Sequence, residues 1–149
     1  MAKTQYWLIK SEPSVYPFEQ LEEDRETVWT GVRSFEGRNN IRAMKPGDLC
    51  LFYHSTRGRA VVGVAKVRTK PGADPTAPDE DWASVEMVYW ATFQKPVELA
   101  TVKKTAALKD FPLLTRSRLS VAPVSEEHFQ LLLKMGKTEL PKKRTRTAR

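Results

Sequence analysis

Apolar and polar side chains alternate along residues 85–93, which predicts a β-strand with one apolar face. Residues 49–54 show the same period of two, so two sets of three side chains would face opposite sides of a strand. One set is Leu49, Leu51 and Tyr53, and the other is Cys50, Phe52 and His54. Further β-prone runs at residues 5–10, 60–69 and 119–122 bring the number of predicted strands to five.

Helix signals lie between these strands. Pro17 can begin a helix after the first strand, and Ser34 can cap the next one. Residues 101–109 predict a short helix, and Ser125 caps a final helix that Gly136 ends. Helices between short strands are typical of an α+β fold, here with about five to six strands in a small mixed sheet or open β-barrel flanked by helices.

Three positions predict irregular backbone. Residues 28–32 form a break between elements, because Gly31 permits a turn that other residues resist. Pro96 is expected to end the strand that begins at residue 85, since it lacks an N–H. Gly63 predicts a bulge or a close backbone contact inside its strand.

The net charge of +7 is concentrated at one end of the 149-residue chain, which has the length of one domain. Residues 137–149 hold six Lys or Arg and one Glu and so carry +5, whereas the rest of the chain carries only +2. We therefore predict a folded domain over residues 1–136 and a basic, disordered tail over residues 137–149. Such a tail adds either salt-dependent attraction to phosphates or mere solubility.

Missing motifs argue against several function classes. The sequence contains no P-loop, GxGxxG, HExxH or CxxC motif, so neither a cofactor nor a metal is expected. Cys50 is the only cysteine, which excludes an internal disulfide. No apolar run reaches the ~20 residues of a membrane span, and the first residues do not predict a secretory signal. We expect a monomer in the cytoplasm, or in the nucleus of a eukaryote.

Nucleophilic catalysis would have to use one of two histidines. His54 precedes Ser55, but neighbours on a strand point to opposite faces, which is poor geometry for a base and its nucleophile. We interpret His54 as a structural residue or as a hydrogen-bonding residue at a pocket rim. His128 is interpreted as a solvated helix residue. Catalysis is therefore disfavoured, although an enzyme that uses His54 and Ser55 stays an alternative.

Trp29 stands outside any periodic run, beside Gly31, and is either a lid on the core or a platform on which a flat ligand stacks. The pattern alone leaves both interpretations open. Nearby Arg33 and Arg38 can contact phosphates or belong to a solvated helix face. The mixture of aromatic, cationic and hydroxyl side chains over residues 29–55 suits a pocket for a flat, polar ligand.

Six stretches, spread in order along the chain, resemble the EVE-domain family, which belongs to the PUA-like group of folds. They are YWLIKSEP at residues 6–13, WTGVRSFEGRNNIRAMKPGD at 29–48, LFYHS at 51–55, VVGVAKV at 61–67, DPTA at 74–77 and SRLSVAPV at 117–124. The resemblance implies a small β-barrel flanked by helices. It also implies a pocket that reads a modified base in DNA or RNA, as in other PUA-like readers such as YTH domains.

The same resemblance implies a set of site residues. The base-binding members are Lys10, Ser11, Trp29, Asn39, Tyr53, His54, Ser55 and Ser120, and the phosphate-binding members are Arg33 and Lys10. Trp29 and Tyr53 would form two walls around an extruded base. Ser11, Asn39 and His54 would form hydrogen bonds with the edge of that base.

We therefore hypothesise a non-enzymatic module that binds DNA or RNA carrying a modified base, such as 5-methylcytosine. Two alternatives stay open. One is an enzyme that acts on modified nucleic acid in restriction or repair, and the other is a binder of a small aromatic or nucleotide-like molecule.

Overall fold

Seven strands form one mixed sheet in the computed structural model of the chain, which describes residues 4–56 and 58–141. They are β1 (Tyr6–Ser11), β2 (Glu26–Trp29), β3 (Leu49–His54), β4 (Ala60–Val67), β5 (Gly72–Ala73), β6 (Ala83–Glu98) and β7 (Val121–Val124). The order across the sheet is β2-β6-β4-β3-β1-β7, and β5 pairs with β6. β1 and β3 are parallel, and the other neighbours are antiparallel. The predicted α+β fold with an open mixed sheet is confirmed.

Five helices surround the sheet within the described residues. They are α1 (Phe18–Asp24), α2 (Phe35–Ala43), α3 (Leu99–Lys104), α4 (Pro112–Thr115) and α5 (Glu126–Met135), with a 3-10 turn at Ala106–Leu108 after α3. Both predicted serine caps are present, because the Oγ atoms of Ser34 and Ser125 accept the N–H groups of Gly37 and His128. α1 begins one residue after Pro17, which is its N-cap. The helix predicted over residues 101–109 is instead divided, because the backbone is extended at Thr105.

Both faces of the sheet are covered by packed side chains. The α5-side core joins Leu51 and Tyr53 to Phe129 and other residues of α5. The α1–α2-side core joins Phe52 and Trp29 to residues of α1 and α2. All six residues of β3 are buried. As predicted, their alternation places Leu49, Leu51 and Tyr53 in the α5-side core and Cys50 and Phe52 in the α1–α2-side core.

The structure differs from the predicted strands at two places. β2 was not predicted and lies partly in the predicted break, because Trp29 pairs with Val85 of β6 and the turn starts only after it. β6 runs through Pro96, where the β4–β6 register shifts between Val61 and Gly63. A proline is tolerated in such an irregular stretch because no ladder hydrogen bond needs its N–H.

Gly63 allows a close approach of neighbouring groups, as its position in the sequence predicted. A Cβ atom there would overlap the ring of Phe18 and lie 2.6 Å from the carbonyl oxygen of Ala91. We expect Gly63→Ala to lower the free energy of unfolding by about 1–3 kcal/mol, because a packed core resists added volume. Urea unfolding will measure this loss. Gly72→Ala is the matched control, since a Cβ at Gly72 meets no atom within 4 Å, and an equal loss in both variants would contradict the packing argument.

The chain contacts the sheet beyond the end of α5. Gly136 lies against the ring of Phe93, and Thr138 Oγ1 accepts the N–H of Gln94 at 3.0 Å. Gly136 itself is not left-handed, and the residue with positive φ is Lys137. The side chain of Leu140 packs on the α5-side core. Residues 142–149 of the predicted basic tail lie outside the described residues, and the domain boundary at 136 stays a prediction.

No helix in the described part of the chain has the length and apolar character that crossing a membrane requires.

Candidate functional site

A cleft of about 710 Å³ opens where the end of β1, the turn after β2 and the loop before β7 meet. This volume lies in the usual range for small-ligand sites. Six residues predicted for the site line the cleft: Lys10, Ser11, Trp29, Arg33, Ser55 and Ser120.

Trp29 combines a position in the core with a place on the cleft wall. The indole is only 9% exposed and meets the rings of Phe52 and Tyr16 edge-on, with centroids 5.5 and 6.4 Å away. Its Nε1–H has no acceptor among the described residues, yet these contain no buried side-chain nitrogen or oxygen without a partner. This donor therefore reaches solvent, so Trp29 belongs to the core and also borders the cleft, while its role as a stacking platform stays a prediction.

Ser11 and Lys10 present defined hydrogen-bonding groups to the cleft. The Ser11 hydroxyl donates to the carbonyl oxygen of Tyr16 at 2.7 Å, so its lone pairs remain to accept a hydrogen bond from a ligand. Lys10 Nζ donates to the carbonyl oxygens of Arg116 and Ser117, both at 3.1 Å, and burial lowers the pKa of this amine. An ammonium has three N–H donors, so one of them is left for a ligand.

Asp74 holds the turn that follows Trp29. Its fully buried carboxylate accepts the N–H of Gly31 at 2.9 Å, the guanidinium of Arg33 at 3.0 Å, and both the N–H and the hydroxyl of Thr76. Burial alone would raise the pKa of Asp74, but these hydrogen bonds outweigh it, and the net pKa lies well below the usual range. Asp74 lies in the DPTA stretch but was not predicted as a site residue.

Arg118 is the free cation of the cleft, whereas Arg33 is engaged. The Arg33 guanidinium binds Asp74, Thr76 and a backbone carbonyl. Arg118 is exposed, lines the cleft and makes no hydrogen bond or ion pair with the described residues. Arg118 was not predicted, although it lies two residues before Ser120 in a stretch that resembles the family.

One rim of the cleft is apolar. Among the described residues, three large hydrophobic side chains are exposed, and Val15 (76%) and Val28 (47%) both line this cleft. Val15 stands on a turn whose N–H groups at Val15 and Tyr16 both donate to the carbonyl oxygen of Glu12 at 2.9 Å. Neither valine was predicted, because a single exposed apolar residue carries no signal in a sequence.

The structure does not bring His54 to the cleft. Its ring is buried, and Nε2 accepts the N–H of Phe18 at 2.9 Å, so the ring proton belongs on Nδ1. Burial lowers the pKa of His54 and so favours the neutral ring. The charge of Glu19 opposes this effect, but by a smaller amount. Ser55 lines the cleft, but the His54 nitrogen that would activate a nucleophile is already occupied.

Tyr53 and Asn39 also lie away from the cleft. Tyr53 is buried in the α5-side core, on the face of the sheet opposite Trp29. Asn39 is exposed on α2, where its Oδ1 accepts the Nε–H of Arg38 at 3.2 Å. Trp29 is therefore supported by Phe52 and not by Tyr53.

Groups that support metal or thiolate chemistry are not assembled in the described part of the chain. No three His, Cys, Asp or Glu side chains there are placed to hold a metal ion. Burial, together with the nearby Asp48 charge, raises the pKa of the Cys50 thiol far above its usual range, so it is not a nucleophile.

Comparison with known proteins agrees with this architecture. The EVE domain model matches residues 5–135. Mouse thymocyte nuclear protein 1 is 30% identical over an alignment of 168 residues, which covers 90% of this chain and 74% of the mouse protein.

Solved structures of other proteins share the fold of this chain. A protein from Agrobacterium tumefaciens has a TM-score of 0.87 at 38% identity, with 93% of this chain and 100% of that one covered. Human THYN1 in complex with DNA that contains 5-methylcytosine has a TM-score of 0.83 at 28% identity, with 91% and 99% covered. The chain therefore belongs to the EVE domain family.

Proposed function

We propose that this protein binds nucleic acid that carries a modified base of the 5-methylcytosine type, and that the extruded base enters the cleft beside Trp29. The observation that carries the proposal is the cleft itself, where an indole, a hydroxyl acceptor and a free guanidinium line one cavity. Human THYN1, a relative of the same fold, has been solved with DNA that contains 5-methylcytosine.

The groups in the cleft match the edge of a cytosine. The lone pairs of Ser11 suit an exocyclic amino group, while the N–H of Lys10 suits the ring nitrogen or the carbonyl oxygen. Extrusion from a duplex costs roughly a few kcal/mol. Contact of the base with an aromatic face returns about 1–3 kcal/mol, so these hydrogen bonds and phosphate contacts must supply the remainder.

The apolar rim favours a methylated base. Val28 and Val15 can cover a methyl group at the mouth of the cleft. Burial of one methyl group contributes about 0.8 kcal/mol, which corresponds to roughly fourfold in affinity. We therefore expect a measurable but small preference for the modified base over plain cytosine.

We further propose that the protein acts by binding and not by catalysis. Three observations support this view: the engaged Nε2 of His54, the raised pKa of the Cys50 thiol and the missing metal cluster among described residues. A nucleic-acid partner supports a location inside the cell, in the cytoplasm or, if the source is a eukaryote, in the nucleus. We expect it to act there as a monomer.

Fluorescence anisotropy with labelled oligonucleotides tests this function. Single strands and duplexes should be compared, each with 5-methylcytosine or cytosine at one position, at several salt concentrations. We expect affinity for the methylated strand to exceed that for the plain strand by roughly fourfold, and to fall as salt rises. Equal, feeble binding to every probe at low salt would overturn the proposal. Native mass spectrometry of the purified protein would reveal a small bound molecule instead.

A further inference from the structure

A second cavity of about 350 Å³ adjoins the cleft and shares Ser117 and Arg118 with it. Hydroxyl groups line this cavity, contributed by Ser34, Thr115 and Ser117. A base held beside Trp29 does not account for this cavity, because the indole is not among the residues that line it.

Arg118 gives the second cavity a net positive charge. Glu36, the one carboxylate in the lining, forms a bidentate ion pair with Arg116, so these two charges offset each other. Arg118 makes no ion pair or hydrogen bond with the described residues. Lys10 adds a second positive charge beside the cavity, because its ammonium binds the carbonyl oxygens of Arg116 and Ser117.

The Arg33 side of the cleft is less favourable for phosphates than the Arg118 side. Beyond Arg33, the loop carries the exposed carboxylates of Asp79 and Glu80, while Asp81 is engaged in ion pairs with two arginines of α2. A polyanionic strand that leaves the cleft is therefore attracted toward residues 115–119 more than toward residues 79–81.

We propose that the second cavity is a phosphate subsite, in which Arg118 binds the phosphodiester that adjoins the extruded base. The hydroxyl of Ser117 adds a further donor, whereas the Thr115 hydroxyl already donates to the carbonyl oxygen of Phe111. A guanidinium matches two phosphate oxygens with parallel hydrogen bonds, so this contact fixes the direction in which the strand leaves the cleft. The inference rests on the proposed function. It requires the protein's partner to be a polymer strand, because a free base or nucleoside has no phosphodiester.

Methylphosphonate probes test the subsite directly. Single strands with one 5-methylcytosine are prepared with a neutral methylphosphonate in place of the phosphodiester on its 5′ or its 3′ side. We expect one of the two substitutions to weaken binding by wild-type protein on the order of tenfold. In Arg118→Gln, affinity for the strand with an unmodified backbone should fall by a similar factor, and the methylphosphonate should cause no further loss. The slope of log affinity against log salt concentration should decrease in magnitude by about one.

Controls separate this inference from the proposed function. Lys134→Gln removes the same charge from the exposed face of α5, on the other side of the sheet, and should leave all affinities unchanged. Arg118→Lys should keep the salt slope but lose part of the affinity. The subsite is refuted if the methylphosphonate effect persists in Arg118→Gln, or if neither linkage matters while methylated strands still bind. If wild-type protein binds no strand at all, the proposed function and the subsite fall together.

Discussion

Trp29→Ala is expected to lower both the stability of the protein and its affinity for a modified strand. The indole packs on Phe52 and Tyr16 in the α1–α2-side core, so truncation should cost about 3–5 kcal/mol of unfolding free energy. Affinity should fall by a further amount, about 1–3 kcal/mol, because the aromatic wall of the cleft is removed. Thermal melting and anisotropy, measured below the melting temperature of the variant, record the two losses separately.

Two substitutions at the same position distinguish packing from recognition. Trp29→Leu fills part of the core volume but has no aromatic face, so it should regain stability relative to Trp29→Ala without regaining affinity. Trp29→Phe should regain most of the stability and most of the affinity, because it lacks only the Nε1–H donor and part of the ring system. Phe52→Leu is the control from the core, because Phe52 contacts the indole but does not line the cleft. It should lower stability while affinity is retained. Full affinity in Trp29→Leu would show that the indole is not the wall against which the base lies.

If Trp29 were a platform alone, Trp29→Ala would leave the melting temperature almost unchanged. The structure changes this expectation because β2, which was not predicted, places the indole in the core. β2 has four residues, and it exists because Glu26–Trp29 pairs with β6, about 60 residues later in the chain. Local patterning detects β3, since six buried residues alternate there, but it cannot detect a short strand that depends on a distant partner.

The same limit applies to the candidate site. Alternation assigned Tyr53 and Phe52 to opposite faces of β3, but it could not say which face is shared with Trp29. His54 was ambiguous for a similar reason, because its partner is a backbone N–H at the start of α1. Ser11 was easier to place, since it follows the predicted first strand at the turn into α1.

Long-range contacts also explain why Arg118 was not predicted. The loop at residues 115–119 is held at the cleft by Lys10, more than 100 residues earlier in the chain. Within the sequence, Arg118 looks like any solvated arginine, and Arg33 looks like the better phosphate ligand. Only the contacts show that Arg33 is occupied by Asp74 and that Arg118 is not.

Asp74→Ala is expected to be the most damaging change outside the cleft itself. Removal of the carboxylate leaves the N–H groups of Gly31 and Thr76 without their acceptor, and Arg33 without its counter-ion. We expect a loss of about 3 kcal/mol in unfolding free energy, measured by urea unfolding at pH 7. Affinity for the methylated strand should fall as well, because Gly31 and Arg33 line the cleft. Asp74→Asn preserves the shape and one acceptor oxygen, so its loss should be smaller.

The pH dependence of unfolding free energy will test whether the charge on Asp74 causes its contribution to stability. The folded-state pKa of Asp74 lies well below its usual value of about 3.9, so the ionised carboxylate stabilises the fold fully above that value. This contribution is lost as the pH falls from about 4 through the lower folded-state pKa. The stability difference between wild-type protein and Asp74→Asn should therefore be constant between pH 7 and 5 and should shrink below pH 4. Asp81→Asn is the control, because exposed Asp81 pairs with Arg38 and Arg42 at the surface and should contribute little at any pH. A difference for Asp74→Asn that stays unchanged down to pH 3 would mean that geometry, and not charge, gives Asp74 its role.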